Sequence, residues 1–301
     1  MSAKDFEILR QHMLAEISAG IFHVSDVIGK PALDERVMAA MAKVPRHEFV
    51  PVELQPYAYA NIPLPIGFEK TISQPFIVAL MTDLLDISAE DTVLEIGTGL
   101  GYQAAILAQL ARKVYSIEII EELARQAKQR LRQQGCTNIE LKIANGYHGW
   151  SEHAPFDKVI VTAAPDLIPP PLIHQLKAGG KMVSPAGLPD AQQLGLVEKK
   201  RQRQGDNEGD STGAVLAARG DRAGQHVQLT FWEESAMMLE FTVGINTAGK
   251  HESVTVAAED ALIAALKVKC ERPDAVINYV RRRNKRGDLR HPHGSIAAKA
   301  G

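Results

Sequence analysis

Apolar positions recur at helical spacing over residues 4–19, where Phe6, Leu9, Met13, Leu14 and Ile17 share one side, so the pattern predicts an amphipathic helix. A second helical pattern, KPALDERVMAAMAKV, fills residues 30–44. Over residues 45–67, PRHEFVPVELQPYAYANIPLPIG, prolines and aromatics replace periodicity, which predicts an irregular but packed segment. From residue 92 a regular alternation begins. Strands are predicted at 92–96 (TVLEI), 113–118 (KVYSIE), 139–144 (IELKIA), about 157–162 (FDKVIVTAA) and 181–186 (KMVSPA). Helices are predicted between them at 102–111, at 120–135 ending on Gly135, and over PPPLIHQLKAGG, closed by its glycines. Strands alternating with helices imply crossover connections and a mostly parallel sheet covered by helices on both faces, an α/β fold of Rossmann-like type.

Near residue 198 the pattern breaks. EKKRQRQGDNEGDSTG is charged, polar and glycine-rich, the composition of a linker. The expected organisation is therefore a domain at 1–198, a polar linker at 199–224 and a C-terminal segment at 225–301. That last segment opens with a predicted strand pair, HVQLTFW and MMLEFTVGI, followed by a helical pattern from about 257 to 270. Five predicted strands leave an exposed sheet edge, and these two have the β-branched and aromatic content to cover it.

Composition adds limits rather than direction. The 301 residues are 45% apolar and 23% charged, ordinary for a globular protein, and the net charge of -2 gives no reason to expect a nucleic-acid or membrane partner. The tail from Arg281 onward carries seven Lys and Arg against Asp288 alone, which keeps attraction to nucleic acid or acidic proteins open. Cys136 and Cys270 are too far apart in sequence for a disulfide framework and no metal site is expected, which fits a reducing cytoplasm. No apolar run approaches 18 residues, and the first residues carry acids at helical spacing rather than a leader's composition.

The chemistry gathers at LEIGTGLGY, where the first parallel strand meets its helix. Gly97, Gly99 and Gly101, with Thr98 among them, permit a tight turn and close approach of a ligand. The spacing G-x-G-x-G differs from the G-x-G-x-x-G of pyrophosphate binders. Glu95 stands two residues before the turn, where a carboxylate repels a pyrophosphate and suits an ammonium group. Glu118 ends the second strand, 21 residues after Gly97, where a carboxylate can accept both hydroxyls of a ribose, and Ile119 follows it. Together these favour S-adenosylmethionine over a nicotinamide dinucleotide. Asn145 and Gly146, in ANGYHGW after the third strand, sit where a loop would close over the adenine, with Tyr147 or Trp150 able to pack against it. Asn-Gly is also a common turn pair.

With those residues in view, LPIGFEKTISQPFIVALMTDLL, VLEIGTGLGYQAAILA and FDKVIVTAAPDLIPPPLIHQLKAGGKMVSPAG resemble the protein-L-isoaspartate O-methyltransferase family over about residues 5–198. The T-I-S-Q-P block is specific to that family, whereas the glycine turn marks methyltransferases broadly. The resemblance implies methyl transfer from S-adenosylmethionine to the α-carboxylate of L-isoaspartyl residues in damaged proteins. The resulting ester collapses to a succinimide, which begins repair. It makes Ser73 the active-site residue, flanked by Thr71 and Ile72. Two departures stand out: the family usually has an acid where this chain has Asn145, and its final strand pair should follow Gln192 and Leu194, where this chain turns polar.

Ser73 has no histidine or acid beside it in sequence, and the implied reaction explains why. A carboxylate acceptor, with an ordinary pKa near 3.9, is already ionised at neutral pH and needs no general base. A hydroxyl that orients it suffices. The plainer alternative is that Ser73 only caps the helix that Pro75 opens. Thr162 and Ala163, at the carboxyl end of the fourth strand, are candidates to contact a substrate peptide or merely a strand-end turn. His148 and His153 are expected on a solvated loop. Two further readings are carried: another S-adenosylmethionine-dependent O-methyltransferase, and a non-catalytic adaptor that binds isoaspartyl sites.

Overall fold

The computed structural model describes residues 1–163, 169–186, 193–199, 215–220, 227–232, 239–247, 250–258, 268, 272 and 276–282. The chain divides into two compact units, Met1–Trp232 and Glu233–Gly301.

The first unit starts with helix α1 (Ala3–Gly20), which a capping box fixes: the Ser2 hydroxyl accepts from Asp5 N–H while the Asp5 carboxylate accepts from Ser2 N–H. Short α2 (Ser25–Ile28) and α3 (Glu35–Lys43) follow. The proline-rich segment winds through two 3₁₀ turns into a hairpin, β1 (Leu64–Gly67) and β2 (Lys70–Ile72). Helix α4 (Pro75–Leu85) is buried almost all round, in keeping with a sequence apolar but for Thr82 and Asp83, whose side chains bond Val78 C=O and Asp34 N–H. Then come β3 (Thr92–Ile96), α5 (Tyr102–Ala108), β4 (Lys113–Glu118), α6 (Glu121–Gln133), β5 (Ile139–Ile143), β6 (Phe156–Val161), α7 (Pro170–His174) and β7 (Leu176–Ala186). The sheet is completed by β8 (Gln193–Glu198), β9 (Val215–Gly220) and β10 (Val227–Trp232).

The eight strands run in the order β10-β9-β8-β7-β6-β3-β4-β5. The five from β7 to β5 are parallel neighbours, and β8, β9 and β10 are added antiparallel. Successive residues of a strand point to opposite faces, and here both faces are buried. Val93, Val114, Ile160 and Val183 pack with the helices α1 and α3 to α6. Leu94, Ile96, Ile117, Val159, Val161 and Met182 pack on the other face against Trp150 and Leu172 of α7. From β3 the chain moves out to β4 and β5, then returns past β3 to β6. The carboxyl ends of β3 and β6 therefore flank the point where strand order reverses, the place where ligands of open α/β sheets bind.

Several elements differ from the pattern-based expectation. The helix expected over 169–180 stops at His174, and Leu176 to Gly180 extend the following strand with a register shift between Phe156 and Lys158. The proline start favours a helix, but Leu176 pairs with Phe156 and draws the chain into the sheet. The segment read as a linker contains β9. HVQLTFW does extend the large sheet as β10, but MMLEFTVGI does not pair with it: β11 (Leu239–Thr247) instead joins β12 (Lys250–Ala258) and β13 (Val276–Arg282) in a separate antiparallel sheet of the second unit. There Tyr279 lies over its cross-strand partner Gly244, where a side chain would collide with the ring. Of the helical pattern at 257–270, residues 257 and 258 belong to β12 and most of the remainder lies outside the described residues.

Candidate functional site

The turn after β3 is built by its glycines and closed from beneath by side chains. Gly97, Gly99 and Gly101 all take left-handed backbone angles, φ 97°, 57° and 97°. At Gly97 a Cβ would stand 2.7 Å from Thr162 Oγ1 and 3.1 Å from Ala163 N, so the β3 and β6 loops approach too closely for any other residue. The donors of this turn are engaged within the protein. Gly97 and Thr98 N–H donate to Ile117 C=O at 2.8 and 3.3 Å, and Gly99 N–H donates to Glu118 Oε2 at 2.8 Å.

Glu118 is buried at the end of β4. Besides Gly99, its Oε1 accepts from Ile119 and Ile120 N–H, each at 2.9 Å. Three backbone donors hold the carboxylate at the strand end and leave Oε2 with one uncommitted lone pair. Two ribose hydroxyls would need one of the backbone bonds to yield. Ile119 beside it is 63% exposed, a large apolar side chain in solvent next to the acid.

Glu95 is placed differently from the expectation of an ionised carboxylate facing a ligand. It is fully buried, its Oε2 accepts from the Ser116 hydroxyl, and Ser116 in turn is bonded to the Thr98 hydroxyl at 2.6 Å. Its Oε1 has no partner. Burial pushes the Glu95 pKa up to about 8. The Ser116 bond works against that shift and the neighbouring Glu118 charge adds to it. At neutral pH the group is held mostly as the neutral acid, beneath the turn rather than in front of it.

The third loop closes on the same strand end. Gly146 presses against Ile96, where a Cβ would meet Cγ2 at 2.3 Å. Exposed Asn145 caps the turn through Oδ1, accepting from Tyr147 N–H at 3.0 Å, which leaves its amide N–H₂ for a ligand. Tyr147 is half exposed beside it. Trp150 is not available to an adenine: it is buried and packs edge-on against Tyr115. His153 is half-buried and stacks on Tyr115, while His148 is exposed.

Ser73 faces the glycine turn across a cavity of about 50 Å³ that Thr71, Gly97, Gly99 and Thr162 also line. It does not cap α4. The N-cap residue is Gln74 with no side-chain bond, Pro75 takes the first helical position, and the Phe76 N–H is met by Asn61 Oδ1 at 3.0 Å. Among the described residues the Ser73 hydroxyl has no hydrogen-bond partner, although the residue is half-buried. Ile72 is buried and Thr71 exposed on either side of the chain leading to it. Thr162 donates its hydroxyl back to Ile96 and Gly97 C=O, so its proton serves the loop junction; Ala163 is exposed next to it.

The family model described as protein-L-isoaspartate(D-aspartate) O-methyltransferase matches residues 27–215. The chain belongs to that family. Protein-L-isoaspartate O-methyltransferase 1 of Polaromonas sp. (strain JS666) is 71% identical over 199 residues, 66% of this chain and 84% of that relative. Protein-L-isoaspartate O-methyltransferase 2 of Syntrophobacter fumaroxidans is 59% identical over 64% of this chain and 78% of its own. Among solved structures, a protein-L-isoaspartate O-methyltransferase superposes with a TM-score of 0.55 at 25% identity, covering 70% of this chain and 62% of that one. A β-aspartate methyltransferase from Plasmodium falciparum, solved in complex with S-adenosyl-L-homocysteine, matches at a TM-score of 0.50 and 22% identity over 56% of this chain and 84% of its own. The methyltransferase family match ends inside β9, seventeen residues beyond the resemblance read from the sequence motifs.

One residue of the site had no sequence signal. Arg46 is fully buried, donates from Nη2 to the Ser73 C=O at 2.7 Å and from Nε to Ala58 C=O at 2.8 Å. Arginine is seldom buried, so nothing in the local sequence marks it.

Proposed function

We propose that this methyltransferase uses the cavity between Ser73 and the Gly97–Gly101 turn to bring an L-isoaspartyl α-carboxylate to the methyl group of S-adenosylmethionine. The reaction is that of a protein-L-isoaspartate O-methyltransferase, and the ester it forms starts repair through a succinimide. The observation that carries the site assignment is the Ser73 hydroxyl: on a half-buried residue that lines the cavity, and without a protein partner among the described residues. Its Asn61-capped helix does not need it.

The fit to the cofactor rests on the strand ends. Glu118 takes a ribose hydroxyl on Oε2, Ile119 covers one face of the adenine, and the Asn145 amide donates to its edge while Gly146 holds that loop against β3. The Gly97–Gly101 turn, with Thr98 and the neutral Glu95 under it, receives the amino-acid end. S-adenosylmethionine supplies, when bound, a methyl group already activated by its sulfonium charge. The protein's share is orientation. Ser73 donates to one oxygen of the acceptor carboxylate and leaves the other for attack, while Thr71, Ile72, Thr162 and Ala163 frame the peptide and exclude water. No proton has to be removed from the acceptor, which is why the cavity has no base.

Transfer of labelled methyl from S-adenosylmethionine to an isoaspartyl peptide, with the aspartyl peptide as control, tests the reading. Ser73→Ala should lower turnover about tenfold or more with S-adenosylhomocysteine affinity near that of the parent. Normal turnover in that variant would remove Ser73 from the mechanism.

A further inference from the structure

Arg46 is the one large cation fully buried in the first unit's described residues, and no carboxylate lies within ion-pair distance of it. Its guanidinium is braced on three sides. Nε holds Ala58 C=O, Nη2 holds Ser73 C=O, and the plane's carbon sits 4.8 Å from the centre of the Tyr102 ring. Nη1 has no partner. Both Ser73 and Tyr102 line the cavity, so the cation stands one residue behind its wall. Burying an unpaired guanidinium is costly, and an apolar side chain would fill such a place more stably. A side chain retained against that cost is tied to what it holds, and what it holds is the backbone of Ser73.

We propose that Arg46 is a positioning residue for the acceptor site: its forked donors lock the Ser73 carbonyl to the 58–61 loop and thereby fix the direction of the Ser73 hydroxyl. The fork meets the two carbonyls from two nitrogens, Nε and Nη2, fixed in one plane. A lysine keeps the charge but has a single nitrogen on a flexible stem, without the fixed spacing of the two donors. The Asn61 cap on Phe76 N–H is the second strut of the same brace, joining the same loop to the start of α4. The inference rests on Ser73 as the residue that orients the carboxylate.

A double-mutant cycle with Arg46→Lys, Ser73→Ala and the pair tests it, with rates counted per site titrated by S-adenosylhomocysteine calorimetry so that unfolded molecules do not enter. Arg46→Lys should lower kcat/KM for an isoaspartyl peptide about tenfold, leave S-adenosylhomocysteine affinity within twofold, and cost less than twofold when Ser73 is already alanine. Equal costs of Arg46→Lys in both backgrounds, unchanged kcat/KM in the single variant, or loss of cofactor binding along with activity would each overturn the proposal while leaving the Ser73 reading to its own test. A neutral Ser73→Ala would overturn both, and only that result touches the Ser73 reading itself.

Discussion

Glu95→Gln should make the protein more stable and bind its cofactor less well. The buried carboxyl has its folded pKa raised to about 8 from an ordinary 4.5. The native state therefore holds the proton more tightly than the unfolded chain does. Stability from this group is complete below the unfolded value and is lost as pH rises from 4.5 through 8. Each unit of pH within that window costs about 1.4 kcal/mol, so at pH 7 the loss is about 3 kcal/mol. Glutamine is neutral at every pH and has nearly the same shape, so it escapes the loss. For a unit of this size, about 2–4 °C per kcal/mol converts to a gain in melting temperature of roughly 6–12 °C at pH 7. The gain should shrink toward zero near pH 5. Melting curves by circular dichroism from pH 5 to 8.5 would show the two proteins diverging with pH. Parallel curves would refute the reasoning, because they would mean that Glu95 titrates alike in the folded and unfolded states. A positive ammonium brought near the turn would draw the proton off Glu95, a response the variant lacks, so its S-adenosylhomocysteine affinity should fall as its stability rises.

Two other expectations follow from the hydrogen bonds and the sheet. Glu118→Gln keeps one oxygen for the Ile119 and Ile120 N–H groups but puts an N–H₂, which cannot accept, where Oε2 meets Gly99 N–H and the proposed ribose hydroxyl, and calorimetry should show S-adenosylhomocysteine binding weakened by about 1.5–3 kcal/mol; unchanged affinity would remove the ribose assignment. A chain ending after Trp232 should stay monodisperse and bind the cofactor, whereas one ending near Gly205 lacks β9 and β10, bares the edge of β8 and should aggregate in light scattering.

What the sequence disclosed and what it hid follow a physical division. Period-two and period-3.6 patterns report burial, so β3, β4, β5, β6 and the helices α5 and α6 were legible to within a few residues. The glycine turn was legible because Gly97 is demanded by a close approach that no other residue tolerates. Contacts made by side chains across long stretches of chain were not. Nothing near Glu95 in sequence says that Ser116 and Thr98 will close over it, and the sign of its effect changes once it is neutral. Trp150 carries a polar N–H and an apolar body, so pattern alone could not decide between a ligand platform and the core position beside Tyr115 that it takes. The residues after 198 misled for a related reason. A polar, glycine-rich run signals a loop, but β9 lies just beyond it, and an antiparallel strand added at the far end of a sheet does not need the unbroken apolar run of a central parallel one.

The hydrogen bonds around the cavity narrow what each ligand can be offered. Gly97, Thr98 and Gly99 have given their N–H groups to Ile117 and Glu118, and Thr162 has given its hydroxyl proton to the β3 loop. With those three donors spent, the part of the turn beside Glu118 is poorly suited to an anion and better suited to a cationic group, which agrees with an amino-acid end bearing an ammonium and a sulfonium beyond it. On the opposite wall the situation reverses. The Ser73 hydroxyl is unengaged, and the nearest buried charge behind it is the Arg46 cation. That wall favours a carboxylate. In the proposed binding mode the methyl donor and its acceptor thus approach from sides of opposite electrostatic preference. Methyl transfer then cancels the donor's sulfonium charge and the acceptor's carboxylate charge; S-adenosylhomocysteine keeps its ammonium, whereas the ester no longer carries the charge for which the Ser73 wall was suited and has less reason to remain.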